Sequence, residues 1–135
     1  MRITTKGRYA LRAVIALAET SVAGKPVSIK AIAEREDISA EFLEQIFFRL
    51  RRSGLIRSAR GPGGGFSFAL PLDRITLMDL ISASGEGLEV APCLCGKGAC
   101  GKMAGCRARS VWQGLDASLR AYAESRTVAD MINGG

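Results

Sequence analysis

Four cysteines crowd into fourteen residues, at positions 93, 95, 100 and 106, in a stretch punctuated by Gly96, Gly98, Gly101 and Gly105. In an exported chain such density reads as a disulfide framework, but nothing here marks export. The N-terminal segment opens on basic residues and turns apolar, yet Arg12 and Glu19 break the apolar run and its apolar residues recur at helical spacing. A cytoplasmic chain is expected, with thiols available for metal or redox chemistry. Zinc sites commonly pair two C-x-x-C elements, and the segment has none. Iron–sulfur clusters accept more varied loop spacing, and glycine N–H groups can bond the sulfides and tune the potential. On chemistry alone, iron–sulfur, zinc and thiol redox all stay open. Lys97, Lys102, Arg107 and Arg109 place positive charge around the thiols in each case.

The chain contains no histidine, which removes the commonest general base and the commonest metal ligand. No catalytic acid–base set or nucleotide motif stands out, so an enzyme is not expected. Its 135 residues suit one compact domain with an appended element, and 47% apolar content is enough for a core. No uncharged apolar run is long enough to span a membrane. Of the nineteen Lys and Arg residues, twelve precede position 61, against six of the thirteen acidic residues. All of the net charge of +6 therefore lies in the first half, as expected if that half faces a polyanion and the other faces protein.

The elements around these groups can be read from periodicity and caps. Tyr9, Ala10, Val14, Leu17 and Ala18 predict a helix over about 6–19. Ser28 caps a second helix, 29–35, and Ser39 caps a third running to about 53 and closed by Gly54. Two short strand-like runs, 55–60 and 66–70, flank Gly61-Pro62-Gly63-Gly64-Gly65 and predict a β-hairpin. Thr76, with Asp79 three residues on, starts a short helix to 83. Val111, Trp112, Leu115, Leu119 and Tyr122 mark a longer helix from about 107, and Thr127 restarts a short one to about 132. Two short helices, a tight connector and a hairpin are the parts of a winged helix-turn-helix, whose second helix enters the DNA major groove. The fold class expected is mainly α with a small β-hairpin wing.

Candidate DNA-binding residues on that helix are Ser39, Glu41, Glu44, Gln45 and Arg49. Glu44 can accept from cytosine, Gln45 can pair bidentately with adenine, and the arginines suit phosphates. A merely solvated helix face would look alike, and it is the hairpin downstream that favours DNA. At the hairpin tip Arg60 adjoins glycines, with Gly63 and Gly64 allowing close backbone approach, as entry into a narrow minor groove requires. A nucleotide-binding loop is excluded, since no Gly-Lys-Ser/Thr follows and no helix opens after the glycines.

The stretches MRITTKGRYALRAV and ISAEFLEQIFFRLRRSGLIRSARGPGGGF, with Cys100-x5-Cys106 and Trp112 downstream, closely resemble the family of dimeric bacterial winged-helix repressors headed by the iron–sulfur regulator IscR. The resemblance covers nearly the whole chain. It implies double-stranded operator DNA as partner, a homodimer held by the helix near 107–123, and one cysteine loop per subunit. It further implies that Glu44 and Gln45 read bases, with Glu44 discriminating between promoter classes, and that Arg60 enters the minor groove. It divides the chain into a DNA-binding domain at 1–83, a cluster-binding loop at 84–106, and a dimerisation helix with C-terminal segment at 107–135.

Three positions depart from the family pattern. The family shows Cys-x5-Cys-x5-Cys and then a histidine ligand three residues on. Here Cys93 and Cys95 flank the expected place of the first cysteine, and Arg109 occupies the histidine position, where a guanidinium that stays protonated cannot ligate. A [2Fe–2S] cluster held by Cys93, Cys95, Cys100 and Cys106 is the reading adopted, the extra thiol replacing the imidazole and lowering the potential. The acidic ligand that related nitric-oxide sensors take from the first helix is replaced by Arg8. Glu41 stands where a small polar residue is usual, which shifts the operator preference expected. The competing readings keep the DNA-binding fold without a cluster, acting through a thiol switch or through a partner protein.

Overall fold

The structure, a computed structural model, describes residues 3–94, 101 and 104–134. Helix α1 (Thr5–Thr20) turns Ala10, Ala13, Val14, Ala16 and Leu17 inward, the period-3.6 stripe that the sequence carries. Helix α2 (Ile29–Glu36) starts where the Ser28 hydroxyl accepts from the Ala31 N–H at 3.1 Å, and it ends on Asp37 in the left-handed region. Helix α3 (Ala40–Arg52) is capped in the same way, the Phe42 N–H donating to Ser39 Oγ at 3.2 Å. Gly54, with φ +81°, ends α3 by placing the Leu55 N–H on the Leu50 carbonyl, the paired-bond stop that favours glycine. Arg12 pairs with Glu36 and lies over the Tyr9 ring, and Arg35 reaches Glu19, so α1 and α2 are tied across their exposed sides.

Strands β1 (Ile56–Ala59) and β2 (Gly65–Phe68) pair antiparallel with Ile56 opposite Phe68 and Ala59 opposite Gly65. The tip is a tight turn: Pro62 second, Gly63 third with φ +76°, and the Gly64 N–H donating to the Gly61 carbonyl at 2.9 Å. Gly65, at φ +149°, lies so close to Val27 that a Cβ would run into the Val27 carbonyl. This closeness permits a reciprocal pair of hydrogen bonds between Val27 and Phe66, both 2.8 Å, which fastens the hairpin to the chain before α2.

After a short 3-10 turn at Leu72–Arg74 come α4 (Leu77–Ala83), α5 (Arg107–Ser125) and α6 (Val128–Ile132). Both α4 and α6 open with full capping boxes, Thr76 with Asp79 and Thr127 with Asp130. The Thr127 backbone and hydroxyl donors hold the Asp130 carboxyl below the usual carboxylate range. The chain returns from α5 to the body through backbone bonds: Leu77 N–H to Arg126 O and Val128 N–H to Ile75 O, each 2.8 Å. Val128 is fully buried in the same core as Leu17, Phe47 and Leu50. Helix α5 packs on α4 and buries a single residue, Ala123, in a smaller cluster with Ile81 and Leu88.

The start of α1 has no side-chain cap of its own. Instead Glu86, three residues beyond the end of α4, accepts from the Thr4 and Gly7 N–H groups, both at 3.2 Å, and from the Thr4 hydroxyl. Gly85, at φ +86°, ends α4 and directs Glu86 there, with the Glu86 N–H bonded to the Ile81 carbonyl. Replacing Glu86 with Ala should cost about 0.5–2 kcal/mol, the range for a lost helix cap, with Glu86→Gln recovering part of it. Urea unfolding of the three proteins would show this, and an unchanged midpoint for Glu86→Ala would remove the cap from the argument.

Candidate nucleic-acid interface and cysteine site

Helix α3 divides cleanly into two faces. Leu43, Ile46, Phe47 and Leu50 are buried, whereas Glu41, Glu44, Gln45, Phe48, Arg49 and Arg52 line an open groove on the other side. The last turn carries Arg49, Arg51 and Arg52, cations that suit both the negative end of the helix dipole and an approaching polyanion. Of the residues expected to meet DNA, Glu41, Glu44, Gln45 and Arg49 share that face. Ser39 is exposed at its head, but its hydroxyl is engaged as the cap. Arg49 also leans onto the turn after α4, its Nη1 2.7 Å from where a Cβ on Gly85 would stand. It therefore touches a second element, which its place in the sequence did not indicate. Lys6 shares a cleft with Gln45 and Arg49, bringing the N-terminal end of α1 beside the groove.

The wing stands against α3 through two contacts. The Phe47 and Phe66 rings lie 5.0 Å apart, and Arg51 Nη1 donates to Ser58 Oγ at 3.2 Å. Arg60 and Gly63 are exposed at the hairpin tip, and Gly64 is half-buried where a Cβ would meet the Ala59 carbonyl. A side chain at 64 would thus force the tip open, while 61 and 63 face open space and need glycine for their positive φ alone.

Two of the four cysteines are described. Cys93 lies half-buried in a 3-10 turn at Pro92–Leu94, and Cys106 lies half-buried as the N-cap of α5; neither is in a disulfide. Cys95 and Cys100 lie outside the described residues. Among the described residues no group of three or more His, Cys, Asp or Glu side chains stands together as a metal site. The donor chemistry around Cys106 nonetheless fits an anionic group. The first turn of α5 has no acidic residue and holds Arg107 and Arg109, the reverse of the usual helix start. Among the described residues, buried Arg109 Nε has no hydrogen-bond partner, so an N–H donor lies beside this helix start.

A basic helix backed by a glycine-tipped wing, with helices beneath, defines a winged-helix DNA-binding regulator. The chain belongs to the Rrf2 family, described as iron-dependent transcriptional regulators, whose family model matches residues 3–134. It is 39% identical over 133 residues to the helix-turn-helix-type transcriptional regulator IscR of Escherichia coli, covering 98% of this chain and 81% of that protein. Among solved structures it resembles CymR of B. subtilis, named the global cysteine regulator, with a TM-score of 0.83 at 29% identity, covering 100% of this chain and 98% of that one. It also resembles IscR of T. potens, with a TM-score of 0.78 at 32% identity over 99% and 88% of the two chains. The expected fold and family are thereby established, and the function is transcriptional regulation through DNA rather than catalysis. No helix among the described residues is long and apolar enough to cross a membrane.

Proposed function

We propose that the protein binds a two-fold operator as a homodimer, with α3 in the major groove, the wing tip in the minor groove, and a [2Fe–2S] cluster on Cys93, Cys95, Cys100 and Cys106 setting its response. Bound there, the cluster would supply a charge that depends on its assembly and oxidation state. The observation that carries the cluster reading is the start of α5: a thiol at the N-cap, cations in place of acids in the first turn, and the buried unpartnered Arg109 Nε. In this reading Arg109 stands at the ligand position and donates to the group that its protonated guanidinium cannot ligate.

The chain's own contacts then explain how the cysteines reach the DNA face. Cys93 follows Glu86 by seven residues, and Glu86 caps α1 while Gly85 touches Arg49 of α3. Cys106 begins α5, which packs on α4. Drawing Cys93 and Cys106 toward shared ligation would therefore pull on the turn that meets Arg49 of α3 and on α4. The exposed apolar residues of α5 would join two subunits and hold two α3 helices roughly one DNA turn, about 34 Å, apart.

The deciding experiment is iron and acid-labile sulfide analysis, with a visible spectrum, on anaerobically purified protein and its four single Cys→Ala variants. About two irons and two sulfides per chain, lost on removal of any one cysteine, is the expected result. The likeness to CymR, a cysteine regulator, favours a second reading in which the same thiols act as a redox switch or a partner protein sets DNA affinity. Iron-free, colourless protein whose operator affinity changes with oxidation would establish that one instead. For the wing, Arg60→Ala should lose about 1–3 kcal/mol on a cognate operator. Equal binding of mutant and parent in a titration would remove Arg60 from the interface.

A further inference from the structure

Phe48 is 51% exposed on a helix that buries Leu43, Ile46, Phe47 and Leu50. It sits in the middle of the polar stripe, one turn beyond Glu44 and one turn before Arg52, and lines the same groove. Its ring is held from the wing side: the Arg51 guanidinium carbon lies 5.8 Å from the ring centroid, and Arg51 itself is bonded to Ser58. A protein partner is poorly matched to this surface, because the ring shares its groove with Glu41, Glu44, Arg49 and Arg52 and carries Arg51 over its face, and interface cores are depleted of charge. The major groove suits it better. There the polar base edges are interrupted by one apolar feature, the C5-methyl of thymine.

We infer that Phe48 is a specificity residue that packs on a thymine methyl in the operator. The inference rests on the reading of α3 as the recognition helix. Four residues of helix advance about 6 Å, close to two base-pair steps of about 3.4 Å each. The thymine contacted thus lies about two base pairs from the base that Glu44 reads.

The test uses a duplex selected from random sequence by the intact protein. Each thymine of one half-site is replaced singly by deoxyuridine, which deletes the methyl and leaves the pairing edges unchanged. The parent protein should lose about three- to five-fold in affinity at one position, the value of one buried methyl group. Phe48→Ala should bind the thymine duplex about as weakly as the parent binds that uridine duplex and no longer distinguish the two. Phe48→Leu should keep part of the discrimination, and matched thermal melts of both variants would exclude a folding effect. Absence of any uridine-sensitive position, or full sensitivity retained in Phe48→Ala, overturns the inference while leaving α3 as the recognition helix. Failure of selection to enrich any duplex overturns both.

Discussion

Phe47→Ala is expected to lower the unfolding free energy by about 3–5 kcal/mol, the cost of deleting a fully buried aromatic and leaving a cavity. In a chain of this size the melting temperature should fall on the order of 10 °C or more. Phe47 is wholly shielded from solvent, and its ring meets Phe66 of β2 at an interplanar angle of 45°. The site cannot collapse easily. Val27 and Phe66 are joined by paired backbone bonds, and Arg51 and Ser58 fix the other strand to the same helix. Calorimetry on parent and variant measures the loss directly. A loss under about 1 kcal/mol would mean that the wing and α3 are held by something other than this contact.

Leu115→Arg is expected to act on association rather than folding. Helix α5 has nineteen residues and buries one of them, yet Val111 is 66% exposed, Trp112 43%, Leu115 45% and Tyr122 58%. Trp112, Leu115, half-buried Leu119 and Tyr122 follow at spacings of three, four and three, with Val111 beside them, and form an apolar seam of the kind a protein covers with a partner. A charged guanidinium in that seam should leave the proposed homodimer monomeric at micromolar concentration. Loss of simultaneous half-site engagement should weaken operator binding by a hundred-fold or more, since avidity of order 10²–10⁴ disappears with it. Sedimentation and operator titration on the same preparation decide the matter. A dimeric variant with parental affinity would place the subunit contact elsewhere.

The local devices of this fold are legible in the chain because they act within one turn. Ser28, Ser39, Thr76 and Thr127 each bond an N–H three residues ahead, so cap and helix are adjacent in sequence. The split of α3 into buried and open faces follows in the same way from its apolar period. What stayed hidden joins distant residues. Glu86 caps a helix that begins eighty-one positions earlier, at Thr5, and no pattern near either residue announces it. Arg49 reads as a phosphate ligand by type, yet its reach to Gly85 depends on how α3 and α4 cross. The paired bonds between Val27 and Phe66 likewise need the hairpin to fold back on the chain before α2. At the cysteines, spacing suggested shared chemistry, while the environment that favours an anion, the buried Arg109 Nε at the head of α5, is a matter of packing.

The return of the chain after α5 has a mechanical consequence. Residues 75–77 and 126–128 are stitched together by backbone bonds, and Val128 is embedded in the same core as Leu17. Helix α5 is therefore tied back to the body at its C-terminal end and is not an arm hanging from a hinge. An arm would let the two halves of a dimer wander, tolerating operators of many half-site spacings. In the proposed dimer, a strut tied in this way would behave as a caliper: the α4–α5 packing would set its gap, and a small change at Cys106 would reach that gap through α5.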